Sequence, residues 1–502
     1  MSTNTRRILL SCVSLAVVAC FCIGVIIISG AGVTLLTTNS APSPLPLNTL
    51  VPTSTPFATQ TTTETPLSEA AATQTTSVST PTAVATQSTP VATPSAISLP
   101  TLPGPTLSAD ISQEMDQIQA EVISYRGLQA TTQVKRGVLT TDQLRQKVVT
   151  EFLQDYTQAD ANKDVTILNA FGLLPSGFDY LTFQENFLTE QVAGFYDNTT
   201  KEMYVISDEG FTGLQKFNYA HEYTHFLQDQ NFDIQGKLGY SEEKCKNDSE
   251  RCAAIQALME GDATLSQEEW LVRYSTQLDQ QQISQFAQTF KSPVYDSAPE
   301  FYKDDAMFPY NQGLEFVQTL YDQGGWQSVD NAYHNPPVST EQILHPDLYP
   351  DEKPVSVSLP DLSTALGSDW TQLDKDTVGE WYTYLILSAG YDSADRLPTS
   401  VAKQAAAGWG GDTYAVYQNA KTGAVALAVI WQWDTSKDAT EFMNAFKQYG
   451  DERWGSSVNS SSDSTQWDGP QSFSTITLSG QSTTWILSPD AQTASEMEAA
   501  LK

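Results

Sequence analysis

Read from its N-terminus, the chain passes through four regimes of apolar and polar patterning. Ile8 to Ile28 is a run of apolar and small polar residues without a charge. It is long enough to cross a hydrocarbon core of roughly 30 Å as a helix. Thr37 to Ser108 is dominated by Thr, Ser, Pro, Ala and Gln, and only Glu64 and Glu69 carry charge. Such a stretch cannot bury a core and reads as a disordered stalk. Helical spacing of apolar positions begins beyond it, at Ile111–Leu128 and Thr141–Tyr156, and returns through Phe217–Gln228, where neither Gly nor Pro interrupts. Val192–Tyr196 and Met203–Ile206 flank the polar turn Asp197–Glu202 and predict a β-hairpin. Asp248-Ser249-Glu250 starts a helix of small and apolar residues, Ala253, Ala254, Ile255, Ala257, Leu258, Ala263 and Leu265. A further helix opens after Pro309 and carries Tyr310.

After the Pro-rich segment Pro346–Pro360 the pattern changes again. Strands are expected at Tyr414–Gln418, Val425–Trp433, Ser474–Leu478 and Thr483–Leu487, with helices at Ser436–Tyr449 and Ala491–Leu501. These make two similar ββα passes. The expected whole is an α+β chain in four parts. Residues 1–36 form a cytoplasmic N-terminus and transmembrane anchor, and 37–108 the stalk. Residues 109–360 form a mainly helical domain with an upstream β-hairpin, and 361–502 a small α+β domain whose role is not legible.

The chemistry concentrates in His221-Glu222-Tyr223-Thr224-His225, which holds two of only four histidines. On a helix, positions i and i+4 share a face, so both imidazoles reach one ion. Zinc accepts neutral imidazole nitrogen, and Glu222 is placed as general base toward a zinc-polarised water. Catalytic zinc needs a third protein ligand. Glu260 is the best candidate, a lone carboxylate in an apolar stretch whose small neighbours allow close helix approach. Asp229, one turn beyond His225, either orients that imidazole or sits in solvent at the helix end.

Charge and cysteines say where this chemistry operates. Arg6 and Arg7 precede the apolar run, and no Lys or Arg follows until Arg126. The positive-inside bias then puts the N-terminus in the cytoplasm and the remainder outside, on the cell surface. Cys245 and Cys252 are the only cysteines beyond the membrane segment, and an extracellular location favours their pairing. The formal charge of −33 excludes nucleic acid as a partner through repulsion.

With these residues on the page, the chain resembles the gluzincins, zinc peptidases with two motif histidines and a glutamate on a later helix. More narrowly, it resembles membrane-anchored bacterial and archaeal metallopeptidases that share the His-Glu-x-x-His-x-Leu-Gln-Asp-Gln run and a later Glu-Gly-Asp-Ala. The resemblance is firmest over residues 110–350. It implies a zincin-like fold, a Zn²⁺ cofactor held by His221, His225 and Glu260, and Glu222 as general base. It further implies that the hairpin strand lines a substrate cleft. The related aminopeptidases carry Gly-x-Met-Glu-Asn there, and this chain has Gly194-Phe195-Tyr196-Asp197-Asn198. Lacking the glutamate that grips a free amine, it is expected to be an endopeptidase. Tyr310, in a Tyr-x-x-Gly segment, is one expected oxyanion donor and His345 the other. The substrate is then a peptide or protein. A catalytically idle surface protein that binds zinc, or a zinc hydrolase of other amides or esters, is the alternative reading.

Overall fold

The computed structural model describes residues 107–502. The expected anchor Ile8–Ile28, its cysteines Cys12, Cys20 and Cys22, and the stalk up to residue 106 lie outside the described residues. Among those described, no helix is long and apolar enough to cross a membrane.

The first section runs α1 (Ala109–Arg126), β1 (Lys135–Leu139), α2 (Thr141–Lys147), α3 (Gln158–Ala170), α4 (Tyr180–Gln191), β2 (Gly194–Asp197) and β3 (Glu202–Ile206). A π-helical turn over Val148–Phe152 extends α2. Strands β2 and β3 form the expected hairpin, and β1 joins it parallel to β3, giving the order β1-β3-β2. Strand β2 is therefore an edge. Next come the long helices α5 (Gly213–Phe232), α6 (Ser249–Tyr274), α7 (Gln277–Thr289) and α8 (Glu300–Gly324), then α9 (Trp326–His334) and α10 (Thr340–Leu344).

Local chemistry sets the ends of the two central helices. Thr212 and Gln215 form a capping box at the start of α5, and Asp248 accepts from the Arg251 N–H at the start of α6. Cys245 and Cys252 are joined as a disulfide, which ties the preceding loop to the first turn of α6. Pro309 does not begin a helix. It lies inside α8, because that helix is held along its length against α6 and this packing outweighs the single hydrogen bond proline removes.

The α6–α8 crossing depends on missing side chains. A Cβ on Gly261 would lie 2.1 Å from the Gly313 carbonyl oxygen, and one on Gly313 would lie 2.2 Å from that of Ala257. Neither position has room for a methyl group. The two backbones touch one residue after Glu260 and one turn after Tyr310.

The C-terminal section contains β4 (Trp370–Asp376), α11 (Gly379–Ser388), α12 (Thr399–Ala406), β5 (Trp409–Asn419), β6 (Val425–Trp433), α13 (Ser436–Trp454), β7 (Asn459–Ser460), β8 (Ser464–Asp468), β9 (Phe473–Ser479), β10 (Ser482–Ser488) and α14 (Ala491–Ala500). Its strands make one antiparallel sheet in the order β4-β5-β6-β10-β9-β8-β7, the two ββα passes meeting where β6 pairs with β10. Gly408 takes φ +79° just ahead of β5, whose pairing with β6 is irregular between Trp409 and Gly411.

Alternation assigns the sheet's faces. Leu427, Val429, Trp431 and Trp433 of β6 join the large core that also contains Phe217 and Leu258, whereas Ala426 and Ala428 join a smaller core with Met497 of α14. The large core thus crosses residue 360, where the sequence suggested a boundary. Phe171, at the end of α3, stacks edge-on against Tyr414 at 5.1 Å. The architecture is a mixed α+β one, with the sheet covering one side of the helical body.

Candidate metal centre

Helix α5 presents its motif in the phase the sequence predicts. His221, Glu222 and His225 are all buried, and α6 lies across them with a buried Glu260. His221 Nε2 and His225 Nε2 are 3.1 Å apart, and each is 3.2 Å from Glu260 Oε2. Among the described residues, these three are the one group of such side chains whose ligand atoms converge tightly enough to hold a metal ion.

Hydrogen bonding around the triad determines which atoms face inward. The Gln228 side-chain nitrogen donates to the Met259 carbonyl at 2.9 Å and to Asp262 Oδ2 at 3.0 Å. Both of its hydrogens are thereby used, so its oxygen, 2.9 Å from His225 Nδ1, accepts from that ring. His225 consequently carries its proton on Nδ1 and turns an Nε2 lone pair toward His221 and Glu260. Gln267 stands beside His221 without repeating this: its nitrogen donates to the Phe217 carbonyl at 3.2 Å, but its oxygen and His221 Nδ1 are both buried with no hydrogen-bond partner.

Three lone-pair donors crowded together without a cation repel one another. Donors at about 2.0–2.1 Å around a tetrahedral ion sit roughly 3.3 Å apart, close to the spacing found here. Glu260 Oε1 and Glu222 Oε2 are also buried without a hydrogen-bond partner, at a cost that a cation and its water would relieve. Without an ion the protonation states divide: against its burial, Glu260 draws His225 up to about 9, holding a proton that a bound cation would displace. Burial pushes His221 down from its ordinary pKa. Burial raises Glu260, but His225 and His221 outweigh it and hold the carboxyl below the usual range. A neutral imidazole and an ionised carboxylate are the forms that bind metal. The residues fit the ion.

Glu222 stands beside the triad and against the edge strand. The Tyr196 backbone N–H donates to it, while burial, with no ion beside it, pushes its carboxyl up to about 8. A Cβ on Gly194 would come within 3.1 Å of Glu222 Oε1, so a glycine there lets strand and carboxylate meet. The Ala193 and Asp197 carbonyls accept from the Ile206 and Lys201 N–H groups. The alternate residues Gly194 and Tyr196 therefore turn their backbone groups away from β3, toward Glu222.

The remaining sequence candidates separate. The Tyr310 ring is buried and its centroid is 6.3 Å from that of His221. His345 caps the end of α10, and its Nε2 is 2.9 Å from Glu380 Oε1 on α11. Asp229 does not orient His225. It accepts from Tyr196 at 2.7 Å and pairs with Lys201 at 2.5 Å, pinning the hairpin to α5, while Gln228 holds the imidazole. Gln228 follows His225 by three residues, a spacing that could have marked it. Asp262 is fully buried and forms a two-point contact with Arg126, at 2.8 and 3.1 Å, besides accepting from Tyr333 at 2.8 Å. No local pattern announces that network, because Arg126 and Tyr333 arrive from α1 and α9.

Residues 368–498 match the model of a domain of unknown function (DUF8575). The match covers β4 to α14 and leaves the metal centre outside it. No curated protein and no solved structure matches the chain.

Proposed function

We propose that the chain is a zinc-dependent endopeptidase of the gluzincin type, held outside the cell by an N-terminal membrane helix and stalk. The observation that carries this reading is the convergence within 3.2 Å of three inward-facing donors, two of them on the helix that also bears Glu222. His221, His225 and Glu260 would hold the ion. Zinc, when bound, supplies a Lewis acid that acidifies water and polarises a carbonyl.

The chain's own groups do the rest. Glu222 accepts the attacking water's proton and returns it to the leaving amine. The outward-turned backbone of Gly194 and the Tyr196 carbonyl pair with an extended substrate, aligning the scissile carbonyl. Tyr310 donates to the oxygen that gains charge. Tyr310 is favoured over His345 because its ring adjoins His221, whereas Glu380 engages the His345 imidazole. The four central side chains are almost fully buried, so the walls must part to admit substrate. Membrane attachment is supported by the uncharged run Ile8–Ile28 behind Arg6 and Arg7.

The test is metal analysis and cleavage of a mixed peptide library by full-length protein, wild type and Glu222→Gln. The reading requires about one zinc per chain in both proteins, with turnover lost by roughly 10²–10⁴-fold in the variant. Metal without turnover in the wild type would reject catalysis, and absence of metal would reject the site.

A further inference from the structure

Next to the metal centre lies a second feature that the proposed chemistry does not use. A partly open cavity of about 170 Å³ is lined by α3, α6, α8, α10, α11 and β5 and the residues at their ends. For scale, an apolar cavity of roughly 150 Å³ accommodates benzene. On α6 its wall includes Ala253 and Gln256. These share a helical stripe with Glu260, and Gln256 is one turn, roughly 6 Å, before that ligand. On α8 it includes Phe308 and Pro309, which directly precede Tyr310. The cavity thus lies one turn from Glu260 along α6 and one residue from Tyr310 along α8.

Its lining is apolar in area and acidic in charge. Phe171, Phe308, Trp381, Tyr382 and Tyr414 supply aromatic walls, Glu250, Asp305 and Asp164 supply carboxylates, and none of the lining residues is basic. Glu250 accepts from the Thr340 backbone N–H at 2.5 Å and hydroxyl at 2.7 Å. Asp305 accepts from Trp381 Nε1 at 3.0 Å and the Tyr382 hydroxyl at 2.7 Å. These neutral donors hold the carboxylates in place without cancelling their charge. Burial pushes Glu250 up to about 8 and Asp305 up to about 6, so a cation entering the cavity would draw both into the charged form. Pro309 has no N–H for the Asp305 carbonyl four residues earlier. The Gln256 side-chain nitrogen, in a residue only 4 % exposed, has no hydrogen-bond partner.

A small metal ion would not fill such a space or use its aromatic walls. A long alkyl stem ending in a delocalised cation would do both, stacking on the rings and pairing with the carboxylates. We propose that the cavity receives the side chain of an Arg or Lys residue of the substrate, so that cleavage occurs beside a basic residue, with Gln256 donating to a substrate carbonyl. This rests on the peptidase reading above. The chain's excess of 59 acidic over 26 basic residues would also draw cationic peptides toward it.

Binding and turnover are tested separately on full-length protein. In the Glu222→Gln background, n-butylguanidinium and its neutral counterpart n-butylurea are titrated and followed by Trp fluorescence. The proposal expects at least tenfold tighter binding of the cation, falling to within twofold in Asp305→Asn and in Glu250→Gln/Asp305→Asn. Each replacement keeps a carbonyl oxygen for its neutral donors, and the single variant guards against a folding defect in the double. Cleavage of the peptide library by zinc-loaded wild type should favour Arg or Lys on one side of the bond, with the preference lost in Asp305→Asn. Equal binding of the two probes, or a cation preference that survives in both variants, overturns the proposal. Cation-selective binding without cleavage of any peptide upholds the cavity and rejects the peptidase reading. Cleavage without basic preference upholds the peptidase and rejects the cavity's role.

Discussion

Gln228 Oε1 lies 2.9 Å from His225 Nδ1, and the rest of the Gln228 amide is committed to Met259 and Asp262. The chain therefore spends a buried glutamine, backed by the Asp262–Arg126 pair, on fixing one imidazole tautomer. Gln228→Ala should lower metal affinity by roughly 10–100-fold while leaving the fold intact. Competition with a chromophoric chelator measures this directly, and unchanged affinity would remove Gln228 from the metal's support.

The two oxyanion candidates are separable by kinetics. Tyr310→Phe removes one hydroxyl beside His221 and should lower kcat by roughly 10²-fold with little change in KM. His345→Gln should stay within about threefold of wild type, since Glu380 rather than substrate occupies its ring nitrogen. The reverse pattern would exchange the two assignments.

Gly261→Ala tests the crossing that delivers Glu260. Its methyl group would enter the Gly313 carbonyl at 2.1 Å, backbone against backbone, with no flexible side chain to yield. A loss of about 3 kcal/mol or more in stability is expected, together with weaker metal binding because Glu260 is the preceding residue. Chemical denaturation with and without zinc reads both effects; a neutral result would mean the helices can separate freely.

A pH-dependent term arises away from the metal. Glu341 on α10 is fully buried, and burial first, then Glu352 and Glu380, pushes its carboxyl up to about 10. The folded state keeps a proton that the unfolded chain releases near the ordinary glutamate value. This contribution is therefore fully present below about pH 4.5 and lost progressively as pH rises toward about 10. Glu341→Gln, which mimics the protonated acid, should raise Tm by roughly 2–4 °C at pH 8, the shift for about 1 kcal/mol, and change it little at pH 5. Equal shifts at both pH values would place the proton elsewhere.

How much could be read in advance depended on the range of the interaction. The histidine spacing, the hairpin, the Asp248 cap and the two ββα passes are relations between residues close in the chain, where helix and strand periodicity dictate geometry. Glu260 was also legible, since a lone glutamate among alanines and leucines must find a partner when buried. Pro309 misled because a local helix breaker was overruled by a helix pressed against α6. The partners of His345 and Asp229, Glu380 and Lys201, were not legible, because the sequence shows titratable side chains without what they meet in space.

By itself, then, the sequence determined that His221, Glu222 and His225 occupy one helix in the phase a metal requires. Backbone hydrogen bonding fixes that phase whatever surrounds the helix. Only the tertiary structure decided that Gln228 sets the tautomer, that glycines at 261 and 313 bring α6 and α8 into contact, and that one core crosses residue 360. It likewise decided that Glu250 and Asp305 share one cavity beside the centre. Those outcomes depend on which faces of distant elements meet, and close packing, rather than any local preference, selects among them.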